Sequence, residues 1–568
     1  MTGFKAILGH YEGQVKKTLQ SLDQQGFAKK LWAKDPSLWT KDPATQEKVR
    51  NRLGWLTVTE TLADKTGDLV VFARSIKDAG FTHGVLLGMG GSSLCPEVCR
   101  EIYGVAQDDL DLRVLDSTDP ATIVGIESSL DFKKTLFIVA SKSGTTHEVQ
   151  ALYRYFFEKM KAVEPTETGK HFVAITDPGT PLERLAREQN FRRIFLNPSD
   201  IGGRYSALSY FGLVPAALIG MDLQGFLDRA DGMVQDCASH IPISENPGIY
   251  LGAVLGELGK AGRDKVTLIA SPSIQSFGVW LEQLLAESTG KEGRGLIPVV
   301  GETVGPPSVY GNDRLFIYLR IGPHPDPALD PAVEALQRAG HPVLSIFLQD
   351  PLDVGREFFR WELATAVACA ILRVNPFDEP NVTESKENTH RVLQAFYPTG
   401  RLDLPTPILE AEGVCLYGNV APGNVLPKDT LWAFLNQSRA RDYITLMAYL
   451  ERSQGHETLL QKIRLLIRDH FHLATTLGYG PRFLHSTGQL HKGGPPKGLF
   501  LQITSEDTQD LPIPDEQYTF GILKKAQALG DYHSLTRKGL RALHLHLSRH
   551  AGRDLKTVLG WLQDKVKR

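Results

Sequence analysis

Residues 135–160 read TLFIVASKSGTTHEVQALYRYFFEKM. The run Thr135–Ala140 has no charged residue, then Ser141, Lys142, Ser143, Gly144, Thr145 and Thr146 follow, and a helical period begins. An unbroken apolar run of this length reads as a strand buried on both faces, and the longer amphipathic stretch after it as the crossover helix of a parallel sheet. The pattern recurs. HGVLLG precedes SSLCPEVCREIYG, HFVAIT precedes TPLERLAREQN, and RIFLN precedes YSALSYFGLVPAALIG. After the loop SHIPISENPG a second block repeats the scheme, with strand candidates KVTLIAS, RLFIYLRIG and PVLSIFLQD and a helix-like EFFRWELATAVACAILRVN. A third follows the Pro-containing link YPTGRLDLPTPILEAEG, with YITLMAYL, LATTLGY and LFLQIT as strands. The expected organisation is a polar helical segment over 1–50, α/β domains over 51–240 and 241–400, and a C-terminal α/β extension over 401–568.

Length agrees: 568 residues exceed a single hydrophobic core and suggest about three or four domains. A formal net charge of −2 gives no reason to expect nucleic acid or an anionic membrane as partner. Apolar stretches such as FGLVPAALIGM are too short to span a bilayer as helices. The N-terminus lacks a signal-peptide pattern, and five cysteines without one read as reduced thiols in a cytoplasm. Cys95 and Cys99, four apart, are expected to share a buried helix face rather than a metal.

The turn at 141–146 invites an anion. Thr145 and Glu148 have capping-box spacing, so a helix is expected to open there with free amides and a favourable dipole. Ser141, Ser143 and Thr146 add hydroxyl donors, and Gly144 lets the backbone approach. A second strand-to-helix turn, GMGGSSLCPEV, carries Gly88, Gly90, Gly91, Ser92 and Ser93. It lacks the lysine of an ATPase phosphate loop and the third glycine of a dinucleotide fingerprint. Two such turns together predict a cradle for a small phosphorylated molecule.

Three further stretches, SDIGGRYSALS (199–209), QLLAESTGKEGRGLIPV (283–299) and NPFDEPNVTESK (375–386), stand in the chain order of the hallmark motifs of phosphoglucose isomerases, as do GMGGSS and SKSGTT. The resemblance covers about residues 50–400. TTLGYGPRFLHSTGQLHKGG (475–494) resembles the extension of the branch often fused to transaldolase in bacteria. It implies two sugar-isomerase (SIS) domains of doubly wound parallel-sheet type, interconversion of glucose 6-phosphate and fructose 6-phosphate through a cis-enediol, no metal, no cofactor, and a homodimer.

By this resemblance Ser141, Ser143 and Thr146 hold the phosphate with Lys142 nearby, and Gly91 and Ser92 line the same pocket. Glu287 matches the base and Gln283 lies one turn before it; Arg204 matches the arginine facing the enediolate oxygen; Lys386 matches the lysine of ring opening. Three departures bear on the site. Glu379 replaces a glutamine and Thr383 a glutamate; an extra carboxylate beside a phosphorylated substrate weakens binding unless it is paired. The ring-opening histidine is missing from GETVGPPSVYGNDRLF, which leaves His485 and His491 as candidate substitutes. The cluster HLHLSRH (His544, His546, His550) reads as helical, with only His546 and His550 on one face, a poor metal site. Competing functions are a dual phosphoglucose/phosphomannose isomerase and a non-catalytic sugar-phosphate sensor. A sensor would need the hydroxyl-rich turns but not Glu287, Arg204 and Lys386 together.

Overall fold

The computed structural model describes residues 4–322, 324–403, 405–418 and 426–567. Its strands form three sheets, and in each the chain reverses its winding direction at the same place. The first sheet is wholly parallel, in the lateral order Asp111–Leu115, His83–Gly88, Thr135–Ala140, Phe172–Thr176 and Arg193–Leu196. The chain moves outward from His83–Gly88 on one side, then returns to continue from Thr135–Ala140 on the other. Such a switch point leaves a crevice at the carboxyl ends of the two strands where ligands collect. Here the two turns of the cradle, 89–93 and 141–146, emerge side by side.

In the second sheet Ile297–Val299 and Arg314–Ile321 flank Lys265–Ala270, Val343–Leu348 follows, and these four strands are parallel. The outer edge is closed by Phe4–Ile7, antiparallel to Val343–Leu348, with Phe4 opposite Ile346. Residues 4–7 are therefore a strand, inside a segment expected to be helical. Four residues are too few to show a period, and their pairing partner lies more than three hundred residues away. The third sheet repeats the reversal around Tyr443–Tyr449, with Ala474–Tyr479 on one side and Gly498–Ser505 then Arg541–Leu547 on the other. Val414–Tyr417 and Leu409–Ala411 extend it antiparallel. Arg541–Leu547 corrects the helical reading of the C-terminal histidines. On a strand the side-chain period is two, so His544 and His546 share a face, and both ring systems meet the Thr504 hydroxyl at 2.7 Å.

The central strands are buried except for His83 and Ala270 at two strand ends, as their apolar runs require, and the helices on both faces complete the layers. One core joins the first two units through the Val354–Leu372 helix, nearly all of which is buried. Cys95 and Cys99 sit in it with their sulfurs 3.9 Å apart. The third unit is docked on both others. Ala286, Ile297 and Val299 of the second unit pack with Tyr443, Met447 and Phe500, and Phe520, Leu523 and Ala526 pack with Phe137 and Phe156 of the first. Among the described residues no helix is long and apolar enough to cross a membrane.

Polar contacts fix the register of that docking. In the Phe520–Arg537 helix, Lys524 Nζ meets Asp119 Oδ2 of the first unit at 2.8 Å and also pairs with Asp507. Burial disfavours the charged lysine, but the two carboxylates outweigh it and raise its pKa. Lys524→Met strands both carboxylates and is expected to lower unfolding free energy by about 3–5 kcal/mol in urea titration. A loss below about 1 kcal/mol would show that the pair does not anchor the third unit.

Candidate active site

The cradle is shaped by close backbone approach. Gly90 has φ of +54°, and the position of a Cβ on Gly91 lies 2.0 Å from the Gly203 carbonyl oxygen, so no larger residue fits without displacement. In the adjoining turn the Ser141 hydroxyl accepts the Gly144 amide at 3.1 Å and shares a hydrogen with Thr146 Oγ1 at 3.0 Å. Ser143 Oγ lies 2.9 Å from Thr145 Oγ1. The helix that follows is His147–Val163, with Thr146 as N-cap and no side-chain cap. The expected Thr145–Glu148 capping box is thus absent, and the amides of the first turn are free of side-chain caps. Lys142 does not reach into the turn: its ammonium pairs with Asp177 and donates to the Ser199 carbonyl at 3.1 Å. Ser92 is buried within the first turn.

Packed against the first turn, the Gly203–Tyr205 turn of the first unit presents Arg204 to the Phe277–Thr289 helix of the second. Arg204 Nη1 lies 3.1 Å from both Glu287 Oε1 and Glu379 Oε2. Its Nε donates to Ser288 Oγ at 3.0 Å, and Nη2 to the carbonyls of Pro376 at 2.7 Å and Asp378 at 2.9 Å. Burial opposes the charge on Arg204, but Glu287 and Glu379 outweigh it and raise its pKa. The second Glu287 oxygen accepts Gln283 Nε2 at 2.9 Å, one helical turn back. Burial pushes the Glu287 carboxyl up despite the guanidinium. Gln283 Nε2 also donates to the His485 carbonyl at 2.9 Å, and its Oε1 is buried without a partner among the described residues. Glu379 is therefore paired, which answers the concern raised by its replacing glutamine. The Thr383 side chain lies outside the described residues.

His485 comes from the third unit, in the turn Arg482–His485, and arrives at this cluster. Its Nε2 stands 2.8 Å from Glu148 Oε1, which also accepts Gln527 Nε2 at 2.8 Å. Burial alone would raise the Glu148 carboxyl; His485 foremost, then a backbone hydrogen bond and His147, overcome it and bring it down to about 2. His491 is not brought to the site. It is buried between the rings of Phe483 and Phe500, and burial lowers its pKa to about 3. Lys386 stands exposed on the Pro380–Phe396 helix and makes no hydrogen bond or ion pair among the described residues. The structure thus gathers Gly91, Arg204, Gln283, Glu287 and His485, with the 141–146 turn next to them, and leaves Lys386, Lys142 and His491 apart.

Two residues at this site escaped the sequence reading. Lys291, buried, pairs with Asp378 Oδ1 at 2.6 Å and with the Asn375 carbonyl; burial and Arg204 lower its pKa. Its spacing of four from Glu287 was the available signal. Glu148 looked like a cap because capping and a distant histidine use the same residue type.

Residues 72–297 match the family model described as Phosphoglucose isomerase. A glucose-6-phosphate isomerase of a Synechococcus strain is 30% identical over 361 residues, 55% of this chain and 66% of that one. That of Citrifermentans bemidjiense is 28% identical over 393 residues, 60% of this chain and 72% of that one. The crystal structure of a glucose-6-phosphate isomerase from Chlamydia trachomatis superposes with a TM-score of 0.58 at 19% identity, covering 71% of this chain and 90% of that one, a likeness of fold.

Gly91→Ala is expected to displace the Gly203–Tyr205 turn and lower unfolding free energy by about 1–3 kcal/mol in urea titration. Unchanged stability would mean the two turns are not in contact.

Proposed function

We propose that the chain is an aldose–ketose isomerase interconverting glucose 6-phosphate and fructose 6-phosphate. The observation that carries this reading is one buried carboxylate, Glu287, held between the Arg204 guanidinium and the Gln283 amide, with that amide packed against Gly90 of the first donor-rich turn. The sugar's phosphate is held at Ser141, Ser143, Thr146 and the first amides of the His147–Val163 helix, with Gly91 and Ser92 beside it. Anchoring this unreactive end brings carbons 1 and 2 to Glu287.

Glu287 takes the proton from carbon 2 of the open-chain aldose, giving a cis-enediol, and returns it to carbon 1 to give the ketose. Its raised pKa brings it nearer the working pH, as suits a group that must both accept and donate. Arg204, fixed by its carbonyl and hydroxyl partners, stabilises the oxygen on which negative charge develops through its buried positive charge, and the Nη1 hydrogen now on the half-exposed Glu379 is the donor that turns to that oxygen. For ring opening we favour His485 over Lys386, because His485 is oriented by Glu148 and adjoins Gln283, whereas Lys386 is exposed. His485 comes from the same chain, so a homodimer, implied by the resemblance, is not needed to supply it. The 475–494 stretch that carries His485 is our ground for placing the chain in the branch often fused to transaldolase.

A coupled assay with fructose 6-phosphate, reading glucose 6-phosphate and mannose 6-phosphate separately, tests the activity. Glucose 6-phosphate is the expected product, and binding without turnover would reject the enzyme. Glu287→Gln is expected to lower kcat by about 10²–10⁴-fold with sugar-phosphate binding by calorimetry retained; turnover near the native rate would remove Glu287 from its role. The base works deprotonated, so activity falls as pH drops through its pKa. With that pKa raised, the acid limb of kcat/KM is expected above the ordinary glutamate value of about 4.3 once the substrate phosphate's own ionisation, near about 6, is factored out. A limb at or below the ordinary value would contradict the burial of the base.

A further inference from the structure

At the seam between the third unit and the two helices of the candidate site, one side-chain amide ties all three together. Gln489 lies fully buried in the short Gly488–Gly493 helix. Its Nε2 donates to the Gly290 carbonyl at 3.0 Å and to Asn381 Oδ1 at 2.8 Å, while its Oε1 accepts the Asn381 backbone N–H at 2.8 Å. Gly290 caps the helix that carries Gln283 and Glu287. Asn381 is the second residue of the Pro380–Phe396 helix, two residues after the Glu379 that pairs with Arg204. The three partners comprise two acceptors and one donor. Only a primary amide matches that set, because a carboxylate has no donor and an alanine has neither function. The junction is also full: a Cβ on Gly493 would stand 2.4 Å from Asn381 Oδ1, 2.7 Å from Gln489 Nε2 and 2.8 Å from the Gly290 oxygen. The Gly293 N–H donates to the Gly493 carbonyl at 2.9 Å, a second tie across the same seam.

We propose that Gln489 is a positioning residue for the isomerisation. It fixes the end of the Glu287 helix against the start of the helix behind Glu379, so that one guanidinium meets both carboxylates and Glu287 is held at its working distance. In this reading Gln489 touches no substrate and acts through Gly290 and Asn381. The inference rests on the isomerase reading above for the reaction it serves. It gives residues 401–568 a second task beside delivering His485: holding the geometry of a site built from the other two units.

The test uses the full chain, with fructose 6-phosphate as substrate, and compares Gln489→Ala and Asn381→Ala singly and together. Small misplacement of a reacting group costs up to about 10²-fold in rate, so Gln489→Ala is expected to lower kcat by about 10–100-fold. KM is expected within about twofold of native, because the 141–146 turn is untouched. Asn381→Ala is expected to lower kcat less, and the double variant no further than Gln489→Ala, since the two share one contact. A residue that merely fills the seam would lower the urea midpoint and leave kcat of the folded fraction at the native value. Native kcat in Gln489→Ala, or a raised KM with native kcat, overturns the proposal. If Gln489→Ala does not fold, Asn381→Ala decides, and a native kcat there overturns it equally. A native chain without turnover on either hexose phosphate would instead sink the isomerase reading, and the positioning role with it.

Discussion

The site depends on one buried cation. Arg204 leaves the first unit through the Gly203–Tyr205 turn, and every direction of its guanidinium is occupied: Glu287 and Glu379 at Nη1, Ser288 at Nε, and the Pro376 and Asp378 carbonyls at Nη2. A buried charge is tolerable only when its donors are met and an opposite charge is close. Arginine suits this because its planar fork fixes several acceptors at once, where a lysine would present a single rotatable point of charge. The same constraint has a functional consequence. A guanidinium held by its surroundings keeps its position when negative charge appears on a neighbouring oxygen, and a carboxylate packed against it is held at a defined distance from whatever enters the crevice.

The third unit extends this logic. Its winding reverses at the same place as in the other two, and what it brings to the candidate site is a set of polar contacts and His485. Lys524 and Gln527 enter the first unit at Asp119 and Glu148, with Thr118 donating to Gln527 at 2.8 Å. Arg482 pairs with Glu97 and meets Asp116 at 2.6 Å. These polar contacts are directional, so they set one docking angle where apolar packing alone would permit several. Arg482 and His485 lie in the same short turn, and that turn is therefore fixed at both ends: Arg482 by carboxylates of the first unit, and His485 by Glu148 and by the Gln283 amide that reaches its carbonyl.

Much of this was legible in the sequence, and the failures have a common physical form. Ten strand candidates, from HGVLLG to LFLQIT, coincide with strands of the structure; the central ones are buried parallel strands, which must be continuous apolar runs, while Arg193–Leu196 and Ala474–Tyr479 are partly exposed edges. Strands that the reading passed over are short or partly exposed: three of the five residues of Asp111–Leu115 are partly exposed, and Leu409–Ala411 is an edge. HLHLSRH was misjudged because alternating His and Leu is compatible with either period until a pairing partner is known, and here Gly498–Ser505 supplies it. In the site, Arg204 and Glu287 stand together as their motifs suggested. The choice between His485 and His491 could not be made from spacing, since six residues of turn and short helix carry one ring to Glu148 and the other between Phe483 and Phe500. Gln489 carried no signal, because a buried amide clamp is defined by backbone groups at Gly290 and Asn381 that sequence does not display. Glu379, suspect as an unpaired carboxylate, is explained by a partner 175 residues away.

The central claim is that a single carboxylate carries a proton between neighbouring carbons of a sugar phosphate whose tail is anchored elsewhere. Isomerisation by the native chain in D2O, followed by NMR, addresses it directly. A proton held on Glu287 exchanges with solvent during the life of the enediol, so deuterium is expected at carbon 2 of glucose 6-phosphate formed from fructose 6-phosphate. Complete conversion over many turnovers with no deuterium at that carbon would mean that hydrogen passes between the carbons without visiting a carboxylate, and the account would be wrong at its core.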